Sequence, residues 1–229
     1  MLLIKEYFLA GYQTTWSGSY FNALELLNHY INFQHPTLLE KVKGEMNALK
    51  AETENAVAAT ILVQQIADKA KIHIMPPPEF PEAYFSWMRM CYSGFEEKLS
   101  DISSEKIAFD IGYFSGEILT AMKVLKLILK ISIAVIGIPA FKPQWENQRK
   151  TILRANRQLT AAAKLATMTP KGPIILHDEL YAKLGMIAYE IGDADIDFSN
   201  EAYLRLLSGK IENYLSSMND TIAVLSKKI

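Results

Sequence analysis

The sequence contains a single cysteine, Cys91, and none of the common phosphate-binding patterns. A lone cysteine excludes an intramolecular disulfide and a zinc site of the zinc-finger type. The glycine-rich patterns G-x-x-x-x-G-K-[ST] and G-x-G-x-x-G are absent, and no nucleophile lies at a local spacing from a base. We therefore predict no cofactor, no metal and no enzymatic site within one segment, while a site assembled from several helices stays open.

The chain also lacks an excess of charge, and its N-terminal segment is not expected to act as a secretory signal. Its 24 basic and 25 acidic residues give a net charge of −1, so the protein as a whole attracts neither nucleic acid nor an anionic membrane. The N-terminal segment MLLIKEYFLAGYQ carries Lys5 and Glu6 inside its apolar run and has no basic region before it. We expect a cytoplasmic protein, with export by a signal-independent machinery left open.

The apolar periodicity predicts helices separated by proline and glycine, the main ones at about residues 37–73, 82–101, 104–139, 144–168, 173–191 and 200–227. In the first of these, apolar and small residues recur at alternating steps of three and four from Leu39 to Ala70, which indicates packing against another long helix. The predicted fold class is all-α, an elongated bundle of about seven helices with long antiparallel helices. Residues 1–229 form one domain in this interpretation, with the proline cluster at 75–81 as a candidate hinge.

Residues 104–139 are the most apolar long segment of the chain. As a helix, the segment places Lys123, Lys126 and Lys130 within roughly 60° of one another, on nearly the same stripe as its glycines. Gly112 and Gly116 form a G-x-x-x-G pair, which allows a second helix backbone to approach closely. The 21 residues from Ile118 to Ile138 have the length of a membrane span. However, each lysine costs about 2.5–3.5 kcal/mol at the centre of a span, so a constitutive span is not predicted.

The motif Asp110-Ile-Gly-Tyr-Phe-Ser-Gly-Glu117, followed by this lysine-bearing apolar run, resembles the hydrophobic GY-x-x-G helical segment of bacterial polymorphic-toxin and contractile-injection effectors. The resemblance covers about 30 of the 229 residues. It implies delivery without a signal peptide and contact with a target membrane. The leading hypothesis is a non-enzymatic helical interaction module, a membrane-associating secreted effector or toxin component acting through residues 104–139. The predicted contacts on this segment are Gly112, Gly116, Lys123, Lys126 and Lys130.

The alternative hypothesis is a cytoplasmic helical adaptor or immunity-type protein. In this hypothesis residues 104–139 belong to the core, and the helix at 82–101, dense in methionine and aromatic residues, binds a partner protein. The contact residues would be Trp87, Met88 and Met90. Both hypotheses include a protein partner or a homo-oligomer, and the first adds conditional membrane contact.

Three further segments carry charge. Residues 142–164 contain six Lys or Arg and one acid, with Trp145 near the start, but seven acids within residues 178–201 can neutralise them, so nucleic-acid binding is disfavoured. The loop at Asp193 has the start of an EF-hand spacing, yet Phe198 and Leu204 stand where glycine and glutamate are required. Glu117 lies beside the apolar run, and we predict a raised pKa for its carboxyl group.

Overall fold

The computed structural model describes residues 6–12, 61, 63–74, 76, 84–99, 103–134, 141–168, 177–192 and 195–227, and these residues form helices and no strands. The seven helices within them begin with α1 (residues 6–12) and α2 (residues 63–69). The later helices are α3 (Tyr84–Lys98), α4 (Ser104–Ala134), α5 (Lys142–Met168), α6 (His177–Gly192) and α7 (Glu201–Lys227). The predicted all-α fold class is confirmed.

α4 is the centre of the bundle. Nineteen of its 31 residues are buried, and the helix runs without a break through the lysine-bearing apolar segment. It packs against α5 and α7, and stacked aromatic rings join it to α3. Such burial follows from composition, because a helix that is apolar around most of its circumference is stable in water only when other helices cover it.

Two side chains set the starts of the longest helices. The Ser103 hydroxyl accepts a hydrogen bond from the backbone N–H of Lys106 at 3.1 Å, and the Asn200 side-chain oxygen accepts one from the N–H of Tyr203 at 3.1 Å. Each cap satisfies an N–H group that has no partner inside the first turn. The caps confirm the predicted starts of α4 and α7.

α2 is the C-terminal part of the helix predicted at 37–73, and it is the part that the structure describes as a continuous helix. Val63 and Ala67, two positions of its heptad pattern, are fully buried. The helix ends where Lys71 adopts a φ of 57°. The N–H groups of Lys71 and Ile72 donate to the carbonyls of Asp68 and Ala67 at 3.1 and 2.8 Å, which is a Schellman arrangement. The helix therefore ends slightly before the predicted boundary at residue 73.

Two glycines allow α1 and α4 to cross at backbone contact. A Cβ atom on Gly112 would overlap the carbonyl oxygen of Phe8 and would lie 2.8 Å from its carbonyl carbon and 2.9 Å from the Tyr12 nitrogen. A Cβ atom on Gly11 would overlap the carbonyl oxygen of Phe109 in the same way. The close approach predicted for Gly112 therefore occurs inside the fold, with Gly11 as its counterpart.

α5 uses small residues to lie close to its neighbours. Its buried positions include Ile152, Ala155, Leu159, Ala162 and Ala166, which follow one another at steps of three and four. Such a narrow stripe of mostly small side chains lets α5 pack against α4 and α6 while the rest of its surface faces outward.

The segment before α7 is held by its own side chains. Ile196 and Phe198 are buried, and the Phe198 ring meets Trp145 edge to face at a centroid distance of 6.4 Å. The carboxylate of Asp197 accepts hydrogen bonds from the N–H and the hydroxyl of Ser199 at 2.9 and 2.5 Å, and these bonds lower its pKa. This carboxylate therefore closes a local turn.

Several predicted features lie outside the described residues. They include a helix that the same apolar spacing predicts at about residues 20–33, the heptad before residue 61, and the candidate hinge at 75–81 except for Pro76. The end of the apolar segment, residues 135–139, also lies outside. Among the helices that the structure does describe, none combines the length and the apolar character needed to cross a membrane.

Candidate functional site

Four side chains form a polar row on one side of α4. Lys106, Asp110, Tyr113 and Glu117 follow one another at steps of four, three and four, so they lie above one another on the helix. α3 covers the row at Tyr113, where the ring of Tyr92 stacks at 4.2 Å. α5 reaches its far end at Glu117. The row therefore leads from the start of α4 to its contact with α5.

Lys106 is the buried cation of this polar row. Its side chain is 4% exposed and that of Asp110 is 18% exposed. The ammonium nitrogen lies 2.5 Å from both carboxylate oxygens of Asp110 and 5.6 Å from the centroid of the Tyr92 ring. A buried charge is tolerated only when it is paired, and here a carboxylate and a ring face complete its surroundings. The paired ammonium is therefore not available as a nucleophile.

Stacked rings attach α3 to the start of α4. Phe95 and Phe109 stack at a centroid distance of 4.4 Å, and Tyr92 stacks on Tyr113. Burial raises the pKa of Tyr92, and the nearby carboxylate of Asp110 adds to the effect. A phenol held neutral in this way is a structural group, since it cannot act as a base near neutral pH.

Glu117 joins the polar row to α5. Its side chain is 17% exposed, and its Oε1 atom accepts a hydrogen bond from Nη2 of Arg154 at 2.9 Å. Burial raises the pKa of Glu117, while the charge and the hydrogen bond of Arg154 oppose that rise. The raised pKa predicted from the apolar surroundings of Glu117 is confirmed. The counter-ion on another helix was not predicted.

The outer face of α5 carries four cations, which we call the basic stripe: Lys150, Arg154, Arg157 and Lys164. All four are exposed. At about 100° and 1.5 Å per residue, they lie within roughly 80° of one another and extend over about 21 Å. α5 as a whole has six Lys or Arg and one acid, hence a charge of +5 in a chain whose total is −1. The remainder of the chain is therefore acidic, at −6.

The basic stripe ends in exposed apolar residues. Leu165 and Met168 follow Lys164 on the outer side of α5 and are 38% and 79% exposed. An amphipathic helix with cations along one part of a face and apolar side chains beside them is typical of protein surfaces that lie on lipid headgroups.

Within the part of the chain that the structure describes, few acids neutralise this positive charge. Arg154 pairs with Glu117, and Arg149, beside the stripe, pairs with Glu146 at 3.1 Å. Lys150, Arg157 and Lys164 form no ion pair with any residue that the structure describes.

The acidic segment 178–201 was expected to neutralise α5. Three of its acids have other partners: Glu190 binds Lys210 and Tyr214, Asp197 binds Ser199, and Glu201 binds Arg205. The side chains of Asp178 and Glu179, and the whole of Asp193, lie outside the described residues. Neutralisation of α5 by this segment therefore stays a prediction.

The single cysteine is buried and unreactive, and the described residues form no metal site. Cys91 is fully buried, and this burial raises the pKa of its thiol to about 12. A buried thiol of that kind is neither a nucleophile nor a metal ligand near neutral pH. Among the described residues, no three His, Cys, Asp or Glu side chains come together as a metal site.

The contacts predicted on α4 lie at or near its packed surfaces. Gly112 and Gly116 are buried, Gly112 at the crossing with α1. The ammonium groups of Lys126 and Lys130 lie 3.4 and 3.9 Å from Glu212 of α7, and both side chains are about one-third exposed or less. Lys123 is half-buried and also has a partner in the fold. A role for these five residues in contact with a membrane or partner stays a prediction.

The contacts predicted on α3 differ among themselves. Trp87 is only 3% exposed, so its ring packs in the core. Met90 is 46% exposed and lies on the accessible side of the helix. The side chain of Met88 lies outside the described residues. Trp145 of α5 is fully buried and therefore cannot stack on the bases of a nucleic acid.

The sequence contained signals for the residues that were missed. Lys106 and Asp110 stand four positions apart, the spacing of an ion pair on a helix. Gly11 follows Ala10 in a short apolar helix, a pattern of small residues that allows close helix packing. Each signal identifies a helix face, but neither identifies the helix that covers it.

Comparison of the chain with protein-family models, with curated proteins and with solved structures gives no match.

Proposed function

We propose that this protein is a non-enzymatic helical interaction module that associates peripherally with anionic phospholipid surfaces through the basic stripe of α5. The observation that carries the proposal is the outer face of α5, where exposed cations lead into exposed Leu165 and Met168. Each Lys or Arg near an anionic membrane contributes about 1 kcal/mol of binding free energy, and apolar side chains add to this when they enter the headgroup region.

This proposal keeps the membrane association suggested for residues 104–139 but places the contact on another helix. α4 is enclosed by α1, α3, α5 and α7, whereas α5 presents Lys150, Arg157 and Lys164 without any change in the fold. Delivery as a secreted effector or toxin component remains part of the proposal and rests on the resemblance of residues 110–117 alone.

Lipid fits the basic stripe better than nucleic acid does. The Leu165 and Met168 side chains have a use at a lipid surface and none along a phosphate backbone. The only tryptophan on α5 is buried, which removes the stacking contact that single-stranded nucleic acid would use.

The test is co-flotation with vesicles. Vesicles containing phosphatidylglycerol are compared with vesicles of phosphatidylcholine alone, and a 20-base-pair duplex is titrated at the same salt concentration. The stripe variant is Lys150→Gln/Arg157→Gln/Lys164→Gln. The matched control, Lys69→Gln/Lys98→Gln/Lys210→Gln, removes the same charge from lysines that are 59%, 60% and 51% exposed elsewhere.

We expect binding to the anionic vesicles only, with the stripe variant weakened about a hundredfold, because three cations are lost at about 1 kcal/mol each. The control should stay within about threefold of the unmodified protein, because its cations lie outside the stripe. Equal losses in the two variants would show that net charge, and not α5, controls binding. Tighter binding to the duplex, or no binding to anionic vesicles, would also refute the proposal.

The adaptor hypothesis is the second candidate function. Exposed Met90 supports a contact through α3, while the burial of Trp87 removes its largest predicted anchor. If the chain shows no affinity for anionic vesicles and the variant Met90→Asp abolishes capture of a defined partner protein, the adaptor becomes the better proposal.

A further inference from the structure

The ion pair between Glu117 and Arg154 is buried unequally at its two ends. The side chain of Glu117 is 17% exposed, whereas that of Arg154 is 65% exposed. A change of side-chain rotamer can therefore turn Arg154 toward solvent or toward a ligand, while the carboxyl group stays where α4 meets α5. Only the cation of this pair is free to exchange partners.

The surroundings of Glu117 leave few ways to stabilise its negative charge. Arg154 faces it from α5 and, among the described residues, is the cation that lowers its pKa. Tyr92 faces it from α3, and Asp110 and Tyr113 lie on its own side of α4. Burial disfavours the ionised form of this carboxyl group. The carboxyl group is therefore stable when it is paired with Arg154 or when it is protonated.

We infer that Glu117 is a proton-controlled lock on Arg154: the ionised carboxylate holds the guanidinium against α4, and protonation releases it to anionic lipid as a member of the basic stripe. This inference rests on the proposed function. A raised pKa brings the protonation closer to physiological pH than that of an ordinary glutamate.

Linkage gives the sign of the effect. When lipid phosphate binds Arg154, Glu117 loses its counter-ion and its pKa rises, so the bound protein takes up a proton more readily than the free protein does. By reciprocity, acidification must strengthen binding by the same factor. The expected gain is about fivefold, the contribution of one additional cation of about 1 kcal/mol at an anionic surface.

The neighbouring pair of Arg149 and Glu146 supplies a matched control. Both of its side chains are 26% exposed, and both lie on α5 itself three residues apart. The variant Glu146→Gln removes one negative charge close to the basic stripe, as Glu117→Gln does, but it opens no contact between helices. If only the change in net charge mattered, the two variants would show the same affinity for anionic vesicles and the same pH dependence of that affinity.

The experiment measures affinity for phosphatidylglycerol vesicles between about pH 7.5 and pH 5, a range in which this lipid stays ionised. The proteins are the unmodified chain, Glu117→Gln, Glu146→Gln, Arg154→Gln and the double variant Glu117→Gln/Arg154→Gln. The unmodified chain and Glu146→Gln should gain affinity on acidification. Glu117→Gln should bind about fivefold more tightly at pH 7.5 and should lack the part of the pH dependence that comes from this site.

The Arg154→Gln background isolates the lock. There, Glu117→Gln should leave affinity unchanged, because no guanidinium remains to be released. An improvement of the same size with and without Arg154 would overturn the lock and leave the proposed function standing. So would equal pH dependence in the unmodified chain and in Glu117→Gln. Absence of vesicle binding in every protein would refute the proposed function and, with it, the lock.

Discussion

Replacing Gly112 with alanine tests the crossing of α1 and α4 at its tightest point. The new Cβ atom would overlap the carbonyl oxygen of Phe8 and would lie 2.9 Å from the backbone nitrogen of Tyr12. Both contacts are with backbone, so no side-chain rotamer can relieve them. α1 must move away from α4 as a unit, or the contact must remain strained.

Two opposing effects set the size of the change in the free energy of unfolding. Alanine in a helix interior is favoured over glycine by about 1 kcal/mol. Overpacking at a closed contact costs about 1–3 kcal/mol, and displacement of α1 would also expose part of Phe8 and Tyr12, at about 1.5–3 kcal/mol for each fully exposed side chain. We therefore expect Gly112→Ala to lose about 2 kcal/mol net.

Gly185 on α6 and Gly209 on α7 provide internal controls. A Cβ atom on either residue has no neighbour within 4 Å, so Gly185→Ala and Gly209→Ala should gain up to about 1 kcal/mol from helix propensity alone. Urea unfolding followed by circular dichroism gives all three values on one scale. The double variant Gly11→Ala/Gly112→Ala should lose less than the sum of its single losses, because the first methyl group already displaces α1. If Gly112→Ala proved as stabilising as the two controls, the proposed backbone contact would be wrong.

Three other predictions follow from buried groups. Lys106→Met should lower the free energy of unfolding by about 2–4 kcal/mol because it removes the buried ammonium group that binds both carboxylate oxygens of Asp110, and Lys106→Met/Asp110→Leu should recover part of that loss; equal stability of Lys106→Met and the unmodified chain in urea would contradict this. Burial raises the pKa of the Cys91 thiol to about 12, so at about pH 8 this thiol should react with a disulfide reagent only when the fold opens. The reaction should be faster in Gly112→Ala, and labelling of the unmodified chain at the rate of a free thiol would contradict the prediction. Burial raises the pKa of Glu117 above the ordinary value of 4.5, so between the two values the native state binds more protons than the unfolded state and stability falls as pH rises. Relative to the unmodified chain, Glu117→Gln should therefore be most stable above the native pKa, with the difference disappearing below about pH 4.5, as unfolding at several pH values would reveal; a difference independent of pH would argue against it.

Local signals in the sequence were sufficient for the helices. Prolines and capping residues placed the starts of α4, α5 and α7 and the end of α3, where the structure describes both sides of the boundary, within a few residues of those observed, as Ser103 and Asn200 show. These signals act within one or two turns of the chain, so a single sequence contains all the information they need.

For the contacts between helices, the sequence identified residues on one helix but not their counterparts on the other. Gly112 was identified as a point of close approach, but its counterpart, Gly11, lies about a hundred residues away, and helical spacing defines a face without naming what covers it. The same limit applies to Lys126 and Lys130. Their position on one side of α4 was predicted, but their ion pairs with Glu212 of α7 were not. The partner of Glu117 was missed for this reason as well.

The burial of α4 bears on which helix can reach a membrane. Twelve large apolar side chains of α4 are buried, from Ile107 to Ile131. At about 1.5–3 kcal/mol each, their exposure to water would cost on the order of 20 kcal/mol or more, which exceeds the 5–15 kcal/mol that stabilises a typical native protein. α4 can therefore leave its neighbours only when the whole fold opens with lipid already in contact. Under the proposed function, a surface that is already exposed must make the first contact with lipid, and the basic stripe of α5 is such a surface.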